Sequence, residues 1–279
     1  MRMFLLFLLM LVPALAEVRM DVEYARRGDL SLKLDAHVPE GKGPFPAVIL
    51  VHGGGWEEGE KAGIFVAPLL PVLDRSGLAW FTIDYRLAPK YTYPAPVEDV
   101  QDAIRWVKKH AKEYRVDPMR IVLMGESAGG HLVALVAARP TPDTQVAAVV
   151  PFYTPTDMNG VVDDIPAAQR LMRQLFGLKD FDESARRRLK EASPITYVRR
   201  GLPPFLMVCG TEDKILYAQS TRMCDQLKAA GNACDFYTVD GGIHGVMNWE
   251  KVPTQQGYKD FLITWLRKTT HMPLAQGKL

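Results

Sequence analysis

Two glycine-rich stretches constrain this chain more than any other feature. Phe45–Val51 is a continuous apolar run that leads directly into His52-Gly53-Gly54-Gly55, and Arg120–Gly125 leads into Glu126-Ser127-Ala128-Gly129. An unbroken apolar run of strand length fits a strand buried on both faces, hence a parallel sheet. In the second stretch the pattern Gly125-Glu126-Ser127-Ala128-Gly129 lets a strand reverse sharply into a helix, which leaves the Ser127 hydroxyl exposed at the turn. In the first, no side chain obstructs the backbone N–H groups. Such donors can point at the oxygen that becomes negative when a serine attacks an ester carbonyl. Together the two stretches point to acyl transfer.

The rest of the chain alternates short β-rich runs with amphipathic helical windows, which predicts an α/β fold with a mostly parallel, eight-stranded sheet and helices on both faces. Val18–Arg26 and Leu30–Val38 read as a leading hairpin turning at Arg27-Gly28-Asp29. Leu78–Tyr85 and Arg120–Gly125 are the strands on either side of a crossover helix over 95–112, where Val97, Val100, Ile104 and Val107 recur at helical spacing. Strands follow at Val146–Phe152, Phe205–Cys209 and Asp235–Val239, with helices after Ser127, over 215–230 and over about 246–268. Residues 154–200 carry few β signals and many charges, and are expected to form a small helical insertion placed as a lid. No repeat or linker divides the chain, so residues 17–279 are expected to be one domain.

Residues 1–16 read as a secretory signal: Arg2, an apolar run from Met3 to Val12, and Ala14-Leu15-Ala16 as a cleavage site. The run is too short to span a bilayer, so export to the periplasm or medium is expected, with no stable membrane anchor after cleavage. Net charge is +2 without long blocks of one sign, which argues against a nucleic-acid partner. The three cysteines, Cys209, Cys224 and Cys234, have no metal-binding spacing, and neither a metal nor a cofactor is expected. Cys209 should end one strand while Cys234 begins its neighbour. That leaves Cys224 with Cys234 as the pair to consider for a disulfide.

A serine hydroxyl needs a base to take its proton, and the base needs a carboxylate to hold its tautomer. On this kind of sheet the chain order is serine, carboxylate, histidine, each in a loop after a strand. His244 in Gly241-Gly242-Ile243-His244-Gly245 follows the last expected strand, and His271 lies beyond the last helix, so His244 is the expected base. Asp213 is favoured as the carboxylate over its neighbour Glu212 and over Asp240. The oxyanion would be held by N–H groups of Gly53, Gly54, Gly55 and Ala128. Trp56 and Glu126 flank the centre as candidate substrate-binding residues, although Trp56 could equally pack the loop. His52 is expected to shape the glycine loop, and His131 to pack.

These residues add up to a resemblance. The chain resembles the α/β-hydrolase esterases related to the hormone-sensitive lipase group, on His52-Gly53-Gly54-Gly55-Trp56, Asp84-Tyr85-Arg86-Leu87-Ala88-Pro89, Gly125 to Leu132, Gly210-Thr211-Glu212-Asp213 and His244-Gly245. Gly55-Trp56 followed by Gly59, with Ala128-Gly129-Gly130-His131-Leu132, is most similar to the bifunctional feruloyl and acetyl-xylan esterase branch. The resemblance implies a serine carboxylesterase acting on small or polymer-attached acyl esters, deacetylating a carbohydrate such as acetylated xylan, or else a general short-chain carboxylesterase. The long N-terminal helical cap of lipase-like relatives is missing, which implies an open site. Asp84 and Arg86 match a structural motif of the group. Prolyl-oligopeptidase-like peptidases share the sheet and the triad order but usually carry a propeller, for which this chain has no room. Ligand-binding proteins on the same scaffold lose the histidine that His244 supplies.

Overall fold

The computed structural model describes residues 15–272, so the expected signal segment, apart from its last two residues, lies outside the described residues. The expected hairpin is present: β1 (Glu17–Arg27) and β2 (Leu30–Val38) pair antiparallel. The chain then builds α1 (Leu70–Ser76), α2 (Ala95–Lys109) and α3 (Ala128–Ala138) between β3 (Phe45–Val51), β4 (Ala79–Ile83), β5 (Val116–Glu126) and β6 (Ala148–Phe152). After α4 (Met158–Asp164), α5 (Gln169–Phe176) and α6 (Glu183–Glu191) come β7 (Phe205–Gly210), α7 (Lys214–Ala229) and β8 (Cys234–Val239). The chain closes with α8 (Val246–Trp249) and α9 (Tyr258–Thr269).

All eight strands join one sheet in the order β1-β2-β4-β3-β5-β6-β7-β8, antiparallel up to the β2–β4 pair and parallel from β4 to β8. The inner strands are buried on both faces, and alternate residues of each strand feed two cores. Ile49, Phe81, Leu123 and Met207 face α2, α3 and α7, whereas Val48, Leu50, Val122 and Leu206 face α1 and α9. Burying side chains of this kind is worth about 1.5–3 kcal/mol each. Parallel strands align their C-terminal ends on one edge, and the loops that matter all leave from that edge.

Several expected boundaries move for identifiable reasons. β5 begins at Val116 rather than Arg120, and its pairing with β3 shifts register between Phe45 and Ala47. Pro118 has no N–H for a regular ladder, and an irregularity there lets the strand continue past it. The helix expected over 246–268 is split into α8, a 3₁₀ turn at Pro253–Gln255 and α9. Pro253 cannot donate within a continuous helix. Cys224 and Cys234 form a disulfide with Cα atoms 5.6 Å apart, fastening α7 to the start of β8, and Cys209 is buried and free. Among the described residues no helix is long and apolar enough to cross a membrane.

Between β6 and β7 the chain forms α4, α5 and α6 with 3₁₀ turns at Pro166–Ala168 and Pro194–Tyr197. Asp157 and Asp182 cap α4 and α6 by accepting backbone N–H groups at 3.2 and 2.8 Å. The segment is fastened over the C-terminal edge of the sheet at two backbone groups: Tyr93 N–H donates to the Leu175 carbonyl (2.7 Å), and His131 Nε2 bonds the Ala192 carbonyl (2.7 Å).

Candidate active site

The turn between β5 and α3 leaves no choice of residue. Ser127 sits at φ +53°, ψ −116°, a conformation that side chains rarely adopt, and its N–H donates to the Phe152 carbonyl at 3.0 Å. A Cβ on Gly129 would overlap the carbonyl oxygens of Val51 and His52, and one on Gly125 would come within 2.5 Å of the Gly129 carbonyl. Two glycines therefore let the helix start pressed against the sheet, with the serine at its tip. All eleven residues of α3 are buried, so the turn is held from behind along its whole length.

His244 follows β8 in a loop fixed by its neighbours. Asn248 donates to the His244 carbonyl (2.7 Å), Trp249 Nε1–H donates to the Ile243 carbonyl (2.7 Å), and the Tyr153 ring stands edge-on 4.7 Å away. Its Nε2 lies 3.0 Å from Ser127 Oγ and its Nδ1 lies 2.6 Å from Asp213 Oδ2. A carboxylate at Nδ1 places the ring proton there and leaves Nε2 free to accept. Asp213 occupies the turn between β7 and α7, and its N–H donates to the Gly210 carbonyl (3.2 Å). The competing Glu212 points instead to Lys214 Nζ, 3.8 Å away. The structure thus brings Ser127, His244 and Asp213 together from three loops at one sheet edge.

The glycine loop crosses in front of the serine. Gly54 and Gly55 take φ values of +90° and +60° and line a cleft with Ser127 and His244. Beneath them His52 Nδ1 bonds the Gly53 carbonyl (2.8 Å), and Tyr85 Oη donates to the carbonyls of His52 (3.2 Å) and Gly53 (3.1 Å). Burial lowers the His52 pKa to about 4, so the ring is a neutral donor that shapes the loop. Gly53 itself is buried and turned to the Glu126 carboxyl, which fills the space a Cβ would need. Of the three loop glycines, Gly54 and Gly55 face the cleft and Gly53 does not. Ala128, the first residue of α3, completes the set beside Ser127.

The family model described as BD-FAE matches residues 34–227. The chain belongs to the BD-FAE family. Among its curated relatives is the probable carboxylic ester hydrolase LipM of Mycobacterium tuberculosis, 33% identical over 73% of this chain and 47% of the relative. The chain spans about half the length of the curated relatives it matches. Solved structures cover it more fully. A truncated carbohydrate esterase from the gut microbiota superimposes with a TM-score of 0.75 at 26% identity, over 91% of this chain and 96% of that one. The propionate-bound esterase Est2 of Thermogutta terrifontis gives 0.75 and 26% over 93% and 96%. The fold of this BD-FAE chain is that of the α/β-hydrolase esterases.

The structure separates the two candidate substrate contacts. Trp56 does not line the cleft: at φ +62° it turns inward, is 3% exposed, and donates from Nε1 to His131 Nδ1 at 3.2 Å. His131, neutral with its pKa lowered to about 4 by burial, links Trp56 to the Ala192 carbonyl and so packs as expected. Glu126 reaches the cleft wall but is only 3% exposed. The cleft, about 380 Å³, is instead walled by Phe65, Leu171 and Met247, with Glu57, Glu58 and Arg170 at its mouth. No motif marks these residues, and five of the six come from loops or the insertion, so spacing alone gave no signal for them.

Proposed function

We propose that this BD-FAE protein is a serine carboxylesterase that cleaves short-chain acyl esters through an acyl-enzyme, with Ser127, His244 and Asp213 as its triad. The observation that carries the reading is the continuous chain Ser127 Oγ–His244 Nε2 (3.0 Å) and His244 Nδ1–Asp213 Oδ2 (2.6 Å), opening into a cleft lined by Gly54 and Gly55. Ser127 Oγ bonds to the carbonyl carbon as its proton moves to His244 Nε2 and the carbonyl electron pair moves onto oxygen. The N–H groups of Gly54, Gly55 and Ala128 hold that oxyanion; one such donor is worth about 3 kcal/mol in the transition state. When the pair returns, the bond to the alcohol oxygen breaks and His244 gives that oxygen its proton. Water then repeats the sequence, and the acid leaves as Ser127 recovers its proton. Asp213 keeps the ring oriented and compensates the imidazolium charge.

The acyl group is small because the cleft is small and roofed by Leu171. The alcohol is a hydroxyl-rich carbohydrate such as xylan, so that acetylated xylan is the ester. An open mouth with Glu57, Glu58 and Arg170 supplies hydrogen-bond partners for such an alcohol, and the likeness to a carbohydrate esterase supports it. Export directed by residues 1–16 would place the enzyme where such polymers occur. The test is initial rates on p-nitrophenyl acetate, butyrate and octanoate and acetate release from acetylated xylan, for wild type and Ser127→Ala. Acetate release lost by about 10⁴-fold or more in the variant is the expected result. Activity confined to the small synthetic esters would leave a general short-chain carboxylesterase, and equal rates in Ser127→Ala would overturn the triad.

A further inference from the structure

Glu126 is a charged group of the site to which the mechanism above gives no role. It ends β5 immediately before the nucleophile, is 3% exposed, and its Oε1 has no hydrogen-bond partner. A buried carboxyl without full solvation or pairing is costly, and folds retain such groups where they serve a purpose. Burial pushes its pKa up to about 7, against the opposing pull of Tyr153, His244 and the Gly53 N–H.

The groups around it come from every loop of the site. The carboxyl occupies the space beside the Gly53 Cα and faces the Gly53 N–H. The carbonyl of that same peptide unit's residue is held from the other side by His52 and Tyr85, whose rings stack 4.3 Å apart. Tyr153 Oη accepts the Val246 N–H at 3.0 Å, which leaves its own proton to donate toward Glu126. The Tyr153 ring in turn abuts His244, and Val246 is two residues beyond that histidine. Glu126 thus touches the nucleophile's strand, the glycine loop and, through Tyr153, the histidine loop. The titratable groups that face it are Tyr85, Tyr153 and His244, and Asp213 stands behind His244.

We propose that Glu126 is a positioning residue of the acyl transfer: its carboxylate fixes the Gly53 peptide, which aims the Gly54 and Gly55 N–H groups, and it faces the imidazolium formed on His244. The inference rests on the serine-esterase reading. It differs from a substrate contact because the carboxyl, though at the cleft wall, is only 3% exposed. Since the imidazolium exists only while the oxyanion does, a second carboxylate facing it acts on kcat more than on KM.

The test compares wild type, Glu126→Gln and Glu126→Asp on p-nitrophenyl acetate from pH 5 to 9, with thermal midpoints at pH 5 and pH 8. In Glu126→Gln we expect kcat to fall about 10- to 100-fold with KM changed less than about threefold. The acid limb of kcat/KM should become shallower, one proton in place of two, and move to lower pH. The thermal midpoint should rise at pH 8 and match wild type near pH 5, because the glutamine removes a buried charge present only at the higher pH. Glu126→Asp keeps the charge and should keep the two-proton limb with part of the rate. A residue that merely packs would lower the midpoint at both pH values and leave the profile unchanged, which would overturn the proposal. So would a raised KM at constant kcat, which would make Glu126 a substrate contact. An inactive wild type would sink the esterase reading itself, whereas an active wild type with an indifferent Glu126→Gln would sink this inference alone.

Discussion

The floor of the site and its roof are built on opposite principles. The floor, formed by the glycine loop, the serine turn and α3, is held by backbone against backbone: Gly129 lies on the carbonyls of Val51 and His52, and Gly54 on that of Glu58, with no room for a Cβ. The roof, formed by α5 and α6, is held mainly by side chains: Met172, Leu175, Phe176 and Leu189 are buried in the core, and charged pairs lie at its surface. Arg170 makes a two-pronged pair with Glu57 (2.5 and 2.9 Å), and Arg186 and Arg187 pair with Asp163 (2.7 Å) and Glu183 (2.5 Å). These arginines are largely exposed, and pairs of that kind contribute little. Chemistry that needs atoms placed within tenths of an ångström sits on contacts that cannot give, whereas the part that meets a variable substrate sits on contacts that can.

The hardest test of that contrast is Gly129→Ala. The added methyl has only carbonyl oxygens to displace, so the helix must lift from the sheet and carry Ser127 with it. We expect a cost of about 3 kcal/mol or more and loss of turnover, read by thermal melting and p-nitrophenyl acetate hydrolysis. A variant that melts and turns over like wild type would break the distinction between floor and roof.

Acid should also attack the floor first. His52 and His131 are neutral in the fold, their pKa lowered by burial to about 4, against about 6.5 in an unfolded chain. Between those values the unfolded chain binds more protons, so stability is lost as pH falls from about 6.5 toward 4, by about 3 kcal/mol for each histidine. Glu126 has the opposite sign. Its pKa, raised to about 7, keeps it protonated in the fold at pH values where the unfolded chain has ionised, so its contribution is present at low pH and fades as pH rises toward 7. Two histidines against one carboxyl leave a net loss on acidification. Urea midpoints measured from pH 7 to 4 should decline; a flat series would show that these rings are not held neutral by the floor.

The same contrast explains what could be read from the sequence. Strands and the serine turn were legible because an apolar run at Phe45–Val51 and glycines at 125 and 129 answer to local sterics that few other residues satisfy. Asp213, Glu212 and Asp240 competed because the sequence places all three in loops at the right edge, and only the path of the backbone decides which carboxylate meets Nδ1. Trp56 was left open between the pocket and the loop's packing because a motif specifies a residue without its direction, and a positive φ turned the ring inward. Pro253 was a readable break within the single closing helix expected over about 246–268. The helical insertion was legible over 154–200, but not which of its side chains reach the cleft: α5 and α6 are short and charged, so Leu171 and Arg170 arrive there without a local signal.

Leu171 offers the finest test, because it is where roof meets floor. Its Cδ1 and Cδ2 come within 3.1 and 3.3 Å of the position a Cβ on Gly55 would take. On the proposed mechanism the leaving oxygen must reach His244 Nε2, which would send the alcohol along Gly245 and Met247 and set the acyl chain on the glycine-loop side beneath Leu171. Truncation to alanine removes a half-buried contact at a cost of about 1 kcal/mol and opens space for longer acyl groups. Each methylene newly accommodated is worth up to about 0.8 kcal/mol, so the butyrate-to-acetate ratio of kcat/KM should rise about 3- to 10-fold in Leu171→Ala while the acetate rate changes little. A constant ratio would mean that the acyl chain runs toward Phe65 instead, and that the wall setting its length belongs to the loop after β3 and not to the roof.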